Sequence, residues 1–107
     1  QTSSASEGVL PHYSDAHDGF EVLSVDDCEI NHAVVESNLA PLGYKVTVCM
    51  NGAEALDLIA ARDYLPDLVL LDSMMPGMSG VETCEKLRDK FTSCALPVIM
   101  VSARAAE

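Results

Sequence analysis

The most constraining feature of this sequence is an almost wholly apolar segment that ends abruptly at an acidic residue. Residues 67–71 read DLVLL, follow Pro66 and run into Asp72. An apolar run of this length, without alternation of polar residues, is typical of a strand that is covered on both faces. It therefore favours a sheet with other elements packed against each side.

The rest of the chain alternates between strand-like and helix-like segments. Strands are predicted at residues 21–25, 45–50, 67–71 and 96–102, and helices at residues 29–40, 53–62 and 81–91. Pro41 and Gly43 are expected to end the first helix, and Asn51 with Gly52 forms a turn before the second. The residues with helical spacing on one face are Ile30, Ala33, Val34, Leu56, Ile59, Ala60, Cys84, Leu87 and Phe91. This alternation predicts an α/β domain with a parallel sheet and right-handed crossovers.

The first 19 residues differ in composition from the remainder. They read QTSSASEGVLPHYSDAHDG, with no Lys or Arg and only scattered apolar residues. Such a segment is predicted to be a flexible linker or tail, whereas residues 20–107 form the folded domain. Hydrophobic residues make up 49% of the chain, which is enough for a core. No apolar run is long enough to cross a membrane.

Net charge and cysteine content narrow the classes of partner. Six Lys and Arg stand against 17 Asp and Glu, which gives a formal net charge of -11. This excess argues against direct binding to nucleic acid or membrane, and it suits a divalent cation or a basic protein. The cysteines include no CxxC pair, and Cys28 with His32 lacks a second pair of zinc ligands. We expect reduced thiols in a cytoplasmic protein, with Cys49, Cys84 and Cys94 in regular or buried segments.

Polar residues follow three of the predicted strands. Asp26 and Asp27 follow the first strand, Asp72 the third and Ser102 the fourth. Because ligands bind beyond the carboxyl ends of parallel strands, we expect these groups to converge at one edge of the sheet. Neighbouring carboxylates repel one another, so a hard cation such as Mg²⁺ is the expected occupant. A carboxylate left available for chemistry can accept a phosphoryl group, and a nearby hydroxyl can bind one of its oxygens.

Each of these residues also has a purely structural interpretation, which the sequence leaves open. Asp is common at strand ends as a turn former, and either Asp26 or Asp27 could cap the helix that follows. Ser102 taken alone could be a turn residue. The functional interpretation rests on the whole set, because chance convergence at one sheet edge is a much rarer event than any single occurrence.

Longer motifs make the sequence resemble a known family. They are VDD at residues 25–27, NGAEAL at 51–56, PDLVLLD at 66–72, DSMMPGMSG at 72–80 and LPVIMVSA at 96–103. Asp72 lies 45 residues after Asp27 and 30 before Ser102. With these motifs and spacings, residues 21–107 resemble the receiver domain of two-component response regulators. The stretch DCEIN at residues 27–31 is similar to receivers attached to hybrid sensor histidine kinases.

The resemblance implies a flavodoxin-like, doubly wound parallel sheet with strand order 2-1-3-4. It implies that Asp72 is the phosphoacceptor, which attacks the phosphoryl group of a phosphohistidine. It also implies that Asp26, Asp27 and Asp72 hold Mg²⁺ together with the backbone carbonyl of Met74. Asn31 would be a structural residue near the first helix.

Further roles carry over from the resemblance to residues around the phosphoacceptor. Ser102 would bind a phosphoryl oxygen and shift on phosphorylation, and Ala103 would leave space beside it. Met74 and Arg104 stand where the family tunes the rate of hydrolysis. The residues that would shape the loop over the site include Pro76 and Gly77.

The sequence departs from the family pattern at its carboxyl end. Family members have a fifth strand that ends in an essential Lys, followed by a fifth helix, whereas this sequence ends at Glu107. The expected domain therefore lacks both elements, and Lys45, Lys86 and Lys90 are not placed to supply that Lys. We expect an exposed apolar edge at residues 96–102, which would favour a homodimer or strand exchange.

These features are compatible with three functions. The first is a phosphoacceptor receiver in a two-component phosphorelay, which takes its phosphoryl group from a histidine kinase or a phosphotransfer protein. Such a receiver is not a conventional enzyme. The alternative is a receiver fragment impaired in switching, which acts as a protein-interaction or dimerisation module. A Mg²⁺-dependent phosphohydrolase with Asp72 as nucleophile is disfavoured, because Met74 stands where the general acid would be needed.

Overall fold

The computed structural model describes residues 19–102, so the linker predicted at residues 1–19 lies outside the described residues except for Gly19. Its strands are β1 (Glu21–Val25), β2 (Lys45–Cys49), β3 (Leu68–Asp72) and β4 (Val98–Val101). Its helices are α1 (Glu29–Leu39), α2 (Gly52–Ala61) and α3 (Gly80–Arg88), with a short 3-10 turn at Ala40–Leu42. Strands and helices alternate along the chain, as the sequence pattern predicts.

All neighbouring strands of the sheet are parallel, and their order is β2-β1-β3-β4. This result confirms the flavodoxin-like order 2-1-3-4. In the centre of the sheet, Val22 pairs with Val46 on one side and with Leu68 on the other. At the last position of β3, Asp72 pairs with Val101 of β4. The carboxyl ends of the strands therefore meet at one edge of the sheet.

The core lies where the central strands face α2 and α3. Leu23, Val69 and Leu71 have no exposed surface, and Ile59 of α2 and Leu87 of α3 are buried in the same cluster. Burying a side chain of this size stabilises the fold by about 1.5–3 kcal/mol. Within residues 19–102, no helix has both the length and the apolar character needed to span a bilayer.

Local capping interactions set where the helices begin and end. The chain leaves α1 through the 3-10 turn, and Gly43 then adopts a left-handed φ of 92°. At the start of α2, the Asn51 side chain accepts a hydrogen bond from the Glu54 N–H at 2.8 Å. At the start of α3, Ser79 and Glu82 form a reciprocal capping box. These caps fix the loops that follow β2 and β3.

The helix faces that carry apolar residues at helical spacing are buried only in part. Ile30 and Val34 of α1 are 73% and 52% exposed, and His32 is the residue buried against the sheet. Apolar spacing reveals a helix, but it does not reveal which stripe makes hydrogen bonds to the adjoining strand. On α2, Ala60 is exposed and Ala55 is buried instead.

The cysteines are all free thiols, but one of them lies where it was not expected. Cys49 is buried and Cys84 is partly buried, whereas Cys94 is exposed in a turn after α3. The predicted third helix extended to residue 91, but α3 ends at Arg88. The segment around Cys94 is therefore a surface loop.

Candidate metal and phosphoryl site

Three carboxylates lie together at the carboxyl edge of the sheet. Asp26 and Asp27 follow β1, and Asp72 is the last residue of β3. One oxygen from each lies within 4.8 Å of the other two. Asp26 and Asp72 are each 7% exposed, whereas Asp27 is open to solvent. The cluster thus has two buried members and one member at its mouth.

Every polar atom of Asp26 takes part in a hydrogen bond. Its Oδ1 accepts a hydrogen bond from the Cys28 N–H at 3.0 Å, and its Oδ2 accepts one from Asn31 Nδ2 at 2.9 Å. Its own N–H donates to the Cys49 carbonyl at 3.1 Å, and its carbonyl lies 2.8 Å from His32 Nε2. The capping alternative fails, because Cys28 occupies the N-cap position of α1 and no side chain caps it.

The electrostatic environment of Asp72 disfavours its charged form. Burial raises the pKa of the Asp72 carboxyl, the hydrogen bond from the Met74 N–H at 3.2 Å lowers it, and the adjacent Asp26 and Asp27 raise it further. The net result is a pKa above the ordinary value for aspartate. A cluster of this kind is a hard-oxygen donor set with uncompensated negative charge, which fits Mg²⁺ by its chemistry.

The loop after β3 brings the start of α3 into contact with the phosphoacceptor candidate. Gly80, the first residue of α3, has no room for a Cβ, because such an atom would meet the Asp72 carbonyl oxygen and lie 2.7 Å from Ser73 Cα. The Gly80 N–H also donates to the Ser73 carbonyl at 3.2 Å. Between these residues, Met75 is buried and Gly77 has a left-handed φ of 78°.

The other site residues predicted from the sequence lie after β4 and in the loop after β3. Ser102 directly follows β4 at the same sheet edge and is partly buried. The strand before it is fixed beside Asp72, because the Ser73 N–H donates to the Val101 carbonyl at 2.9 Å. Pro76 lies exposed in the loop, and the Met74 side chain is 55% exposed. Ala103 and Arg104 lie outside the described residues.

Sequence reasoning missed two side chains near the site and underrated a third. Ser24 and His32 are buried and hydrogen-bonded next to Asp26. Asn31, expected only as a structural residue, donates directly to the Asp26 carboxylate. The sequence does place the polar residues Asn31 and His32 in the first helical turn after Asp26 and Asp27. That pattern alone does not reveal that both side chains face Asp26.

Comparison with known proteins agrees with this parallel α/β domain and its acidic edge. The model of the response regulator receiver domain family matches residues 22–107. The chain therefore belongs to the response regulator receiver domain family.

Two curated relatives are similar to this chain over most of its length. The response regulator PleD of Caulobacter vibrioides is 46% identical over 82 residues, which is 77% of this chain and 18% of PleD. The phosphate regulon transcriptional regulatory protein PhoB of Rhizobium meliloti is 38% identical over 87 residues, which is 81% of this chain and 37% of PhoB. The chain thus spans well under half the length of these relatives.

Solved structures show the same fold. The response regulator TrrA from Thermotoga maritima, in complex with Mg²⁺ and beryllium fluoride, has a TM-score of 0.71 at 30% identity. That match covers 82% of this chain and 73% of TrrA. A chain in the complex of the histidine kinase ThkA with TrrA gives a TM-score of 0.71 at 31% identity. That match covers 81% of this chain and 72% of the matched chain.

Proposed function

We propose that residues 20–107 act as the phosphoacceptor of a two-component phosphorelay, behind a linker at residues 1–19. Asp72 receives the phosphoryl group, and the donor is a phosphohistidine on a histidine kinase or phosphotransfer protein. The clustering of three carboxylates at the strand ends carries the proposal, because it provides both a nucleophile and a cation site. The kinase-bound state of TrrA supports a kinase as partner. The DCEIN stretch supports a receiver of the hybrid sensor kinase type.

The proposed metal ligands are Asp26, Asp27, Asp72 and the backbone carbonyl of Met74. Mg²⁺ bound there would neutralise the carboxylates and the charge on the transferring phosphoryl group. The magnesium and beryllium fluoride present in the TrrA structure support this cofactor.

The transfer itself needs one nucleophilic oxygen. An Asp72 carboxylate oxygen forms the new bond to phosphorus while the bond from phosphorus to the donor imidazole nitrogen breaks. That nitrogen leaves with the electron pair and takes up a proton. The Ser102 hydroxyl would then donate a hydrogen bond to a phosphoryl oxygen, and Ala103 would leave room for that contact.

The remaining proposed roles concern what happens after transfer. Met74 and Arg104 would tune hydrolysis by limiting the approach of water to the phosphoryl group. Pro76 and Gly77 would hold the loop that lies between Asp72 and α3. We propose no turnover of a separate substrate, since the only reactions are phosphorylation and dephosphorylation of Asp72 itself.

Labelling by acetyl phosphate tests the proposal. The wild-type chain should gain one phosphoryl group in Mg²⁺ and none in EDTA, and Asp72→Asn should gain none. Asp57→Asn is the matched control, because Asp57 is an exposed carboxylate on α2. Intact-protein mass spectrometry gives the readout. Undiminished labelling of Asp72→Asn would remove Asp72 from the proposed role.

A second candidate function rests on the free side of β4. Ile99, Met100 and Val101 are 51%, 40% and 43% exposed, and no other strand within residues 19–102 pairs with that side of β4. We propose that a second copy of the 107-residue chain pairs there, because two identical edges can form a two-fold symmetric contact. The edge adjoins an apolar groove that includes Val34 and Leu70.

Light scattering after size-exclusion chromatography tests this pairing. Ile99→Lys should convert a dimer to a monomer, because a charge on an edge strand opposes strand pairing. Leu42→Lys is the control, since Leu42 is 69% exposed in the 3-10 turn. A wild-type chain that is monomeric at high concentration would contradict the second candidate and leave the phosphoacceptor proposal intact.

A further inference from the structure

A buried polar pair next to the acidic cluster has no role in the function proposed above. Ser24 lies in β1 and is 3% exposed, and His32 lies in α1 and is 4% exposed. The Ser24 Oγ is 2.9 Å from His32 Nδ1. On the other side of the ring, His32 Nε2 is 2.8 Å from the Asp26 carbonyl oxygen. The imidazole therefore connects the interior of β1 with the backbone of Asp26.

The chemistry of the two contacts fixes the direction of this chain of hydrogen bonds. A carbonyl oxygen can only accept, so His32 Nε2 must carry the proton that is donated to Asp26. In the neutral ring, Nδ1 is then unprotonated and accepts from the Ser24 hydroxyl. Both ring nitrogens are thus used, which leaves the ring a single orientation.

Asp26 is the residue that gains from this arrangement. Its carbonyl is bound by His32, and its carboxylate is bound by Asn31, the preceding residue of the same helix. Without these contacts, repulsion from Asp27 and Asp72 would favour a movement of the Asp26 carboxylate away from the cluster. The first turn of α1 therefore holds both the main chain and the side chain of Asp26 against that repulsion.

We propose that Ser24 and His32 form a positioning pair that sets the Mg²⁺ affinity of the acidic cluster by fixing the Asp26 backbone. The proposal rests on the function proposed above, in which Asp26 is a metal ligand. His32 is not itself a ligand, because both of its nitrogens are engaged. Groups that orient metal ligands in this way commonly change metal affinity about 10- to 100-fold when they are removed.

Three substitutions of His32 separate its two hydrogen bonds. Gln places an amide N–H near the position of Nε2, and Asn places a carbonyl oxygen near the position of Nδ1. Leu supplies neither group. We expect His32→Gln to bind Mg²⁺ within about threefold of the wild type, whereas His32→Asn and His32→Leu weaken binding about tenfold or more. The expected rescue by Gln, and not by Asn, is a result that a merely space-filling role would not produce.

The experiment measures Mg²⁺ affinity of the full 107-residue chain by titration calorimetry, with Asp27→Ala as the reference for a lost ligand. Equal affinity of His32→Leu and the wild type, with binding lost in Asp27→Ala, overturns the positioning pair but leaves the proposed function standing. A wild-type chain that binds no Mg²⁺ overturns both. Failure of Gln to rescue relative to Leu also overturns the proposal.

A second measurement remains decisive if the His32 variants fail to fold. In the metal-free wild type, nitrogen NMR should show a protonated Nε2 and an unprotonated Nδ1 on His32. Ser24→Ala should shift the Nδ1 resonance and weaken Mg²⁺ binding by about two- to threefold, as in His32→Gln, because both variants lose the Ser24 contact and keep the bond to the Asp26 carbonyl. The opposite tautomer, or a Ser24→Ala variant with unchanged Mg²⁺ affinity, overturns the proposal.

Discussion

Arg62 and Glu21 form a two-pronged ion pair at the end of the sheet opposite the acidic cluster. Arg62 Nη1 lies 2.8 Å from Glu21 Oε1, and Nη2 lies 2.9 Å from Oε2. Thr47 donates a further hydrogen bond to Oε2 at 2.6 Å. The Glu21 side chain has no exposed surface, whereas that of Arg62 is 17% exposed. The Glu21 carboxylate therefore has only protein groups to stabilise its charge, whereas the Arg62 guanidinium can also be hydrated.

We expect Arg62→Met to destabilise the fold more than Glu21→Gln. The first change leaves a buried carboxylate without its countercharge, which costs about 3 kcal/mol when a buried pair is broken. The second leaves a guanidinium that can reach water and keeps a polar group for Thr47, so its cost is about 1–2 kcal/mol. Urea denaturation measures both values, and the reverse order would contradict this account of the pair.

Acid should weaken the fold partly through Glu21. Burial raises the pKa of the Glu21 carboxyl, but hydrogen bonds and charge from Arg62 and the bond from Thr47 outweigh it, so the pKa lies below its ordinary value of 4.5. A lowered folded-state pKa contributes stability that is present above 4.5 and lost as the pH falls through the folded value. As the pH falls below 4.5, the wild type should therefore lose more unfolding free energy than Glu21→Gln. Parallel losses would exclude this contribution.

Mg²⁺ should stabilise the domain against unfolding. A ligand at 100 times its dissociation constant adds about 2.7 kcal/mol if it binds only the folded state. Asp72→Asn should reduce this gain. In EDTA the same variant should be more stable than the wild type, because burial and the adjacent carboxylates raise the pKa of Asp72 and so disfavour its charged form. Thermal unfolding with Asp57→Asn as control measures both effects, and a destabilised Asp72→Asn in EDTA would contradict the second.

Gly80→Ala should damage the site, whereas Gly43→Ala should affect only stability. At Gly80 a Cβ would press on the Asp72 and Ser73 backbone, at a cost of about 1–3 kcal/mol. A Cβ added at Gly43 would have no neighbouring atom within 4 Å. The left-handed φ of 92° alone would impose a strain of about 1–2 kcal/mol on alanine. We expect weaker Mg²⁺ binding in Gly80→Ala alone. Equal Mg²⁺ affinity in the two variants would show that the close approach at Gly80 has no bearing on the site.

The sequence pattern was sufficient for the succession of strands and helices along the chain and for the position of the acidic edge. Strand ends in a parallel sheet are set by the pattern of apolar runs, and the residue that follows each run is read directly from the sequence. Asp26 and Asp72 are examples, because each comes immediately after or at the end of an apolar strand. The family motifs added the order of strands, which periodicity does not contain.

Contacts between distant residues could not be predicted in the same way. Glu21 and Arg62 are 41 residues apart, and nothing in the local pattern of either residue indicates its partner. The orientation of α1 is a second case. Its apolar stripe includes Ile30, but the helix turns His32 inward, where it makes hydrogen bonds to Ser24 and Asp26. These hydrogen bonds join residues of β1 to α1, and the apolar spacing of the helix does not reveal them.

The close approach at Gly80 also has a mechanical consequence. No side chain separates the main chain of Asp72 from the first turn of α3, so no rotamer change is available there to absorb a displacement of Asp72. A second close approach joins α3 to α2, because a Cβ at Gly52, the first residue of α2, would meet Thr83 Oγ1 of α3 and lie 3.2 Å from Thr83 Cβ. A small shift at the end of β3 would therefore press directly on the backbone at the start of α3, and α3 in turn meets the start of α2 through the Thr83 side chain.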